Sequence, residues 1–191
     1  MSWWIRKTIA WVLLGSPALY VAYLIAINDL GANPLETLTD YTGQWTLRFL
    51  LFGLLITPLR QLTGWVSLIR YRRVIGLFAA FYATTHMALW LFIDQQLDWN
   101  LLVEDVLDRP YITLGFIGWL LLLPLVATST KRMIKKLGKS WRKLHRAVYI
   151  IPVLGVVHYT MSLKADFSLP ILYAVILSVL LGFRVWMRQA R

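Results

Sequence analysis

The stretch Trp141–Met161, WRKLHRAVYIIPVLGVVHYTM, decides how the chain is read. After a short basic start it is apolar enough to enter a bilayer, yet it carries His145 and His158, two of the three histidines. The third, His86, lies in another apolar run, FAAFYATTHMALWLFI. An imidazole inside a membrane helix is costly unless it faces protein, water or a metal, which makes each one a candidate functional residue. The chain has no cysteine, so these imidazoles are its only strong nitrogen or sulfur ligands.

Composition sets the class. Of 191 residues 59% are hydrophobic, and the mean hydropathy is +0.61, far above a soluble domain and typical of a membrane protein. About 20 apolar residues span a bilayer as a helix, which leaves room for several spans and for no separate soluble catalytic domain. The N-terminal run MSWWIRKTIAWVLLGSPALYVAYLIAI resembles a signal peptide in its early positive charge. It is too long and lacks a clear small-residue cleavage site, so it reads as a retained first span. The absence of cysteine excludes disulfides, thiolate-held iron–sulfur clusters and thiol catalysis within the chain.

Apolar segments and turn formers predict an all-α membrane protein, a single domain over residues 1–191. Six spans are expected at about 8–27, 45–62, 74–93, 111–128, 144–162 and 169–187. Net charge is +11, and its distribution favours membrane topology over nucleic-acid binding. The N-terminus, 60–73, 131–146 and 184–191 together hold 17 of the 20 basic residues, whereas the alternate segments hold all nine acids. Basic residues collect in cytoplasmic loops, so the expected six-transmembrane bundle has both termini cytoplasmic. Trp45, Trp99 and Tyr111 near span ends suit an interfacial belt. No internal repeat stands out.

This orientation converts positions into depths. His86 and His158 each lie 12 residues beyond the basic edge of their span, about 18 Å in at 1.5 Å per residue. Two imidazoles at one depth on different spans are what a bis-histidine haem iron needs. His145 precedes His158 by 13 residues and on a straight helix would point about 140° away, a phase that a kink at Pro152 would change. His145 is thus a candidate ligand for a second haem, although no histidine stands opposite it near Arg72 or Arg73. Arg48 would meet a haem propionate or snorkel to the interface. The competing reading of His86 and His158 is a hydrogen bond to a neighbouring helix, and that of His145, beside Arg142, Lys143 and Arg146, is an interfacial surface role. No Walker A loop, GxGxxG, HExxH or nicotinamide-binding domain is present, so donor and final acceptor chemistry would lie on other proteins.

The segments GANPLETLTDYTG, LRFLLFGLLITPLR, LIRYRRVIGL, ATTHMALW, RPYITLGFIGW, TSTKRMIKKLGKSWRKLHRAVY and VHYTMSLK, in that order, resemble the MsrQ (YedZ) family of the ferric-reductase-like transmembrane group. The resemblance covers nearly the whole chain with all three histidines in register. It implies a b-type haem subunit of the bacterial inner membrane. Such a subunit passes electrons to MsrP, a periplasmic molybdopterin enzyme that reduces methionine sulfoxide in oxidised proteins. It also implies electrons from the quinone pool or a cytosolic flavin reductase, and FMN as a second cofactor. By position, His86 and His158 match the family's intramembrane haem histidines and His145 its third. Ferric-reductase relatives usually pair histidines on both helices, whereas span 3 here has one. A general transmembrane cytochrome or ferric reductase, or a non-redox assembly subunit, are the alternative functions. A transporter fits less well, since the spans hold no buried acid.

Overall fold

A computed structural model describes residues 3–189. Arg191, and the side chains of Arg6, Lys7 and Arg188, lie outside the described part, so the terminal charges used in the topology argument are not among the described groups. All regular structure among the described residues is helical: α1 Trp3–Ala26, α2 Pro34–Thr63, α3 Arg72–Ala88, α4 Trp99–Asp108, α5 Pro110–Ala127, α6 Lys131–Leu137, α7 Lys139–Leu144, α8 Ile151–Ser162 and α9 Ser168–Gln189. Tight 3-10 segments, Val66–Tyr71 and His145–Tyr149, lead into α3 and α8, and α3 runs on into a π-helical segment, Leu89–Asp94.

The centre of the molecule is α2. Asn33 caps it, its side-chain oxygen accepting from the Glu36 N–H, and Pro34 opens it without an N–H to orphan. At the far end Gly64 takes the left-handed conformation, φ 70°, and its N–H donates to the Arg60 carbonyl, a glycine stop. One side of α2 packs Phe49, Leu50 and Ile56 against Ile75, Ala79 and Tyr82 of α3, with Leu122, Leu125 and Ile151 from α5 and α8. The other side packs Leu47, Leu51 and Leu54 against Val156, Tyr173, Leu177 and Leu180 of α8 and α9. Between helices in lipid there is no hydrophobic driving force, so these contacts hold by close van der Waals fit. A Cβ on Gly155 of α8 would stand 2.8 Å from Leu47 Cδ2, which shows how near α8 comes to α2.

Four helical stretches are long and apolar enough to cross a membrane: Thr8–Ala26, Val66–Asp94, Pro110–Ala127 and Ser168–Met187. They correspond to expected spans 1, 3, 4 and 6. Expected span 2 lies inside the longer α2, which also carries Glu36, Asp40, Arg48 and Arg60. Expected span 5, read as one helix over 144–162, is divided at residues 145–150. The cause is Pro152: it supplies no N–H to the turn before it and crowds residue 151 out of ideal helix geometry. The preceding residues tighten instead, and the Ile150 N–H bonds to the Ala147 carbonyl at 2.9 Å.

Two of the prolines within other helices, Pro58 and Pro17, are compensated by side chains. Pro58 leaves the Leu54 carbonyl without its helical donor, and Arg184 Nη2 of α9 donates to it at 2.6 Å. Pro17 frees the Leu13 carbonyl in the same way, and the Ser16 hydroxyl donates to that at 2.8 Å.

Candidate cofactor and metal site

The most extensive helix pairings are α2 with α3 and α5 with α8. Each pair is an antiparallel hairpin, and each brings one histidine to the same place between them. The rings of His86 and His158 stand 6.0 Å apart, centroid to centroid, with planes at 87°. They line one cavity of about 350 Å³, within the usual size of a cofactor pocket.

The two imidazoles are held alike. His86 Nδ1 is 3.0 Å from the Thr39 carbonyl, and His158 Nδ1 is 2.6 Å from the Tyr111 carbonyl. A carbonyl only accepts, so both Nδ1 atoms carry the proton and both Nε2 atoms keep a free lone pair. Among the described residues neither Nε2 has a hydrogen-bond partner. An orienting bond at one ring nitrogen with the other left open is the usual state of a metal-ligating histidine.

Each ring also lies on a glycine of the helix that supplies its carbonyl. A Cβ on Gly43 would fall 3.1 Å from His86 Cε1, and one on Gly115 would fall 2.9 Å from His158 Cε1 and Nδ1. Thr39, Gly43 and His86 on one side match Tyr111, Gly115 and His158 on the other at a constant offset of 72 residues. The same register sets Leu50 against Leu122, Arg60 against Arg132 and Arg70 against Arg142. The sequence therefore does contain a repeat, two helical hairpins facing each other across the cavity. Identity between the halves is too sparse to see until geometry supplies the register.

The body of the cavity is apolar, with Leu47, Leu50, Ala83, Leu122 and Ile151 among its lining residues. Its polar end holds Glu36, Asp40, Asp94 and Arg109. Burial, with Glu36 close by, pushes the Asp40 carboxyl above its ordinary range. Arg109 is the cation at this end. Its Nε pairs with Asp105 at 3.2 Å, and the buried Asp105 carboxylate accepts from Trp90 Nε1 and Gln95 Nε2. Sequence reading passed over Arg109 because it stands in an acidic linker, where one arginine reads as charge balance.

The other two candidates lie elsewhere. Arg48 is absent from the cavity lining; its Nη2 donates to Gln44 and its Nε to Tyr173, and its guanidinium lies 4.8 Å from the Trp45 ring. Gln44, which it holds, does line the cavity. His145 sits at the other end of the bundle, Nε2 2.9 Å from the Thr128 hydroxyl and stacked on Trp141 at 4.0 Å. In the 72-residue register its counterpart is Arg73, so no imidazole faces it. Among the described residues no cluster of three or more His, Asp or Glu side chains is set to hold a bare metal ion.

Comparison with known proteins places this architecture. The ferric reductase like transmembrane component family matches residues 42–156, which takes in His86 and most of both hairpins and ends two residues before His158. The heme-binding subunit MsrQ of protein-methionine-sulfoxide reductase from Xanthomonas oryzae pv. oryzae is 50% identical over 159 residues, covering 83% of this chain and 73% of the relative. The protein of the same name from Ralstonia nicotianae is 47% identical over 179 residues, 92% and 82% of the two chains. The chain belongs to the MsrQ family. Its ferric-reductase-like transmembrane class agrees with the all-helical build and the four membrane-length helices. No solved structure matches the chain.

Proposed function

We propose that this chain binds haem b between His86 and His158 and carries electrons across the bacterial inner membrane to a periplasmic methionine sulfoxide reductase of the MsrP type. The observation that carries the reading is the histidine pair: two imidazoles on separate hairpins, both Nδ1 protons committed to backbone carbonyls, both Nε2 lone pairs open. The residues present fit the group. Glycines at 43 and 115 clear space for the rings, the walls are apolar, and one cation, Arg109, lines the cavity where it would meet the acidic substituents that a haem carries. The names of the relatives, heme-binding subunits of a methionine sulfoxide reductase, agree with this choice.

Bound haem would supply a one-electron carrier. The chain's own tasks are then few. His86 and His158 would be the residues that hold the group, and their carbonyl bonds fix ring orientation and ligand strength. The apolar walls keep water from the group, and Arg109, steadied by Asp105, offsets propionate charge. Methionine sulfoxide reduction itself belongs to the partner.

The six-span topology with cytoplasmic termini completes this reading, with α2 and the α7–α8 segment as the two further spans. It sets the acidic cavity end at the periplasm, next to the partner, and the basic linkers at the donor side. The donor is the quinone pool or a cytosolic flavin reductase, and FMN is the second cofactor, both taken from the family resemblance. His145 is the one remaining imidazole for a second haem, and that role requires its Nε2 to leave Thr128. Reconstitution of the reduced protein with purified MsrP tests the function: the reading expects sulfoxide-dependent reoxidation of the haem. Reoxidation that is equally fast without MsrP supports a general cytochrome instead.

A further inference from the structure

At the end of α2 remote from the histidine cavity, Arg60 of α2, Arg72 at the start of α3 and Arg184 of α9 come together, all partly buried. The charges of Arg184 and Arg60 both bear on Arg72. Arg60 and Arg72, with Thr57, Ile56 and Ile69, line a second small cavity of about 30 Å³. Like charges held close in a poorly solvated place repel, and such sites normally carry a counter-charge. Among the described residues no carboxylate pairs with Arg60, Arg72 or Arg184; the ion pair of Arg109 with Asp105 lies at the opposite end. Arg184 directs Nη1 to the Tyr149 hydroxyl and Nη2 to the Leu54 carbonyl, but its buried Nε has no acceptor, and the buried Thr57 hydroxyl has no partner either.

We propose that Arg60, Arg72 and Arg184, with the Thr57 hydroxyl, form a binding site for a phosphate group. Converging guanidinium forks are the usual match for phosphate oxygens, and a phosphate would supply both the missing counter-charge and acceptors for the two unpartnered donors. The surroundings favour the headgroup of an anionic phospholipid. Leu62, Trp65, Val66 and Ile69 are exposed beside the cluster, an apolar rim on which acyl chains rest and for which a soluble phosphate has no use. Basic pockets between membrane helices on the side rich in Lys and Arg bind anionic headgroups in this manner. The site is independent of the histidine cavity and of what that cavity binds.

The test uses the full-length protein, purified in detergent and stripped of lipid. Thermal unfolding is followed at constant ionic strength with phosphatidylglycerol, phosphatidylcholine, inorganic phosphate or FMN, each against chloride, and retained adducts are counted by native mass spectrometry. Phosphatidylglycerol is expected to raise the midpoint and remain bound. In an Arg60→Gln/Arg72→Gln variant its affinity should fall at least tenfold, while the visible spectrum of the protein stays that of the parent. Thr57→Val, a milder change, should weaken binding several-fold in a protein that folds normally. If inorganic phosphate or FMN binds as tightly and displaces the lipid, the phosphate site stands with a soluble ligand. If no phosphate compound acts beyond chloride, if phosphatidylcholine equals phosphatidylglycerol, or if the variants bind like the parent, the proposal is overturned.

Discussion

His158 lies so close to Gly115 that a Cβ on that glycine would stand 2.9 Å from two atoms of its ring. Alanine is favoured over glycine in a helix interior by about 1 kcal/mol, so Gly115→Ala should help the helix while displacing the ring. The expected result is haem content reduced several-fold with thermal stability of the apoprotein maintained. Gly43→Ala, at 3.1 Å from His86, should act in the same direction but less. Gly76→Ala on α3 meets nothing within 4 Å and should leave haem content unchanged. Parental haem content and spectrum in Gly115→Ala would remove the glycine from the site.

Arg109 and Arg48 separate by readout. Arg109→Gln removes the cation at the cavity's polar end, and haem should dissociate about tenfold faster, the equivalent of roughly 1.4 kcal/mol for one charge-assisted bond. Arg48→Gln breaks the link from Gln44 to Tyr173. It should lower the unfolding midpoint and leave haem dissociation near the parental rate. Exchange of these two outcomes would restore Arg48 as the propionate contact.

His145→Ala removes a hydrogen bond to Thr128 and a stack on Trp141. The expected cost is about 0.5–1.5 kcal/mol of stability, with the haem-to-chain ratio unchanged in a pyridine haemochrome assay. A ratio that drops by one haem per chain would assign His145 a second group.

Arg184 and Pro58 are coupled through the Leu54 carbonyl. Arg184→Leu leaves that carbonyl without a donor and should cost about 1–3 kcal/mol. In a Pro58→Ala background the helix supplies its own N–H, so the same change should cost less. A double-mutant cycle on thermal unfolding measures the difference, and a coupling of zero would show that Arg184 and Pro58 act separately.

That His86 and His158 could lie level with one another was legible because helix rise is constant and each of their apolar runs has a basic edge to count from. That the two rings share one cavity is a matter of helix packing, which the structure supplies. The glycine cradles were not legible: Gly43 and Gly115 resemble any small residue in an apolar run until a ring is seen lying on each. The two-hairpin repeat was hidden for a related reason, since a shared backbone path constrains only the few residues where ring meets helix. The break at residues 145–150 was foreshadowed by Pro152, but a kink and a 3-10 segment look alike in sequence. The partners of Arg48, Gln44 one turn back and Tyr173 on α9, were not legible, because they are set by packing that no local pattern records. Arg109 was hidden by its acidic neighbours, one of which, Asp105, is the group that holds it.

The central claim is that His86 and His158 together hold one haem iron, and its most direct test is the reduced-minus-oxidised visible spectrum of the purified protein beside His86→Ala and His158→Ala. The account predicts sharp b-type bands in the parent and their loss in both variants, each of which stays folded by circular dichroism. Parental bands in either variant, or a featureless spectrum from haem-supplied parent protein, would contradict it.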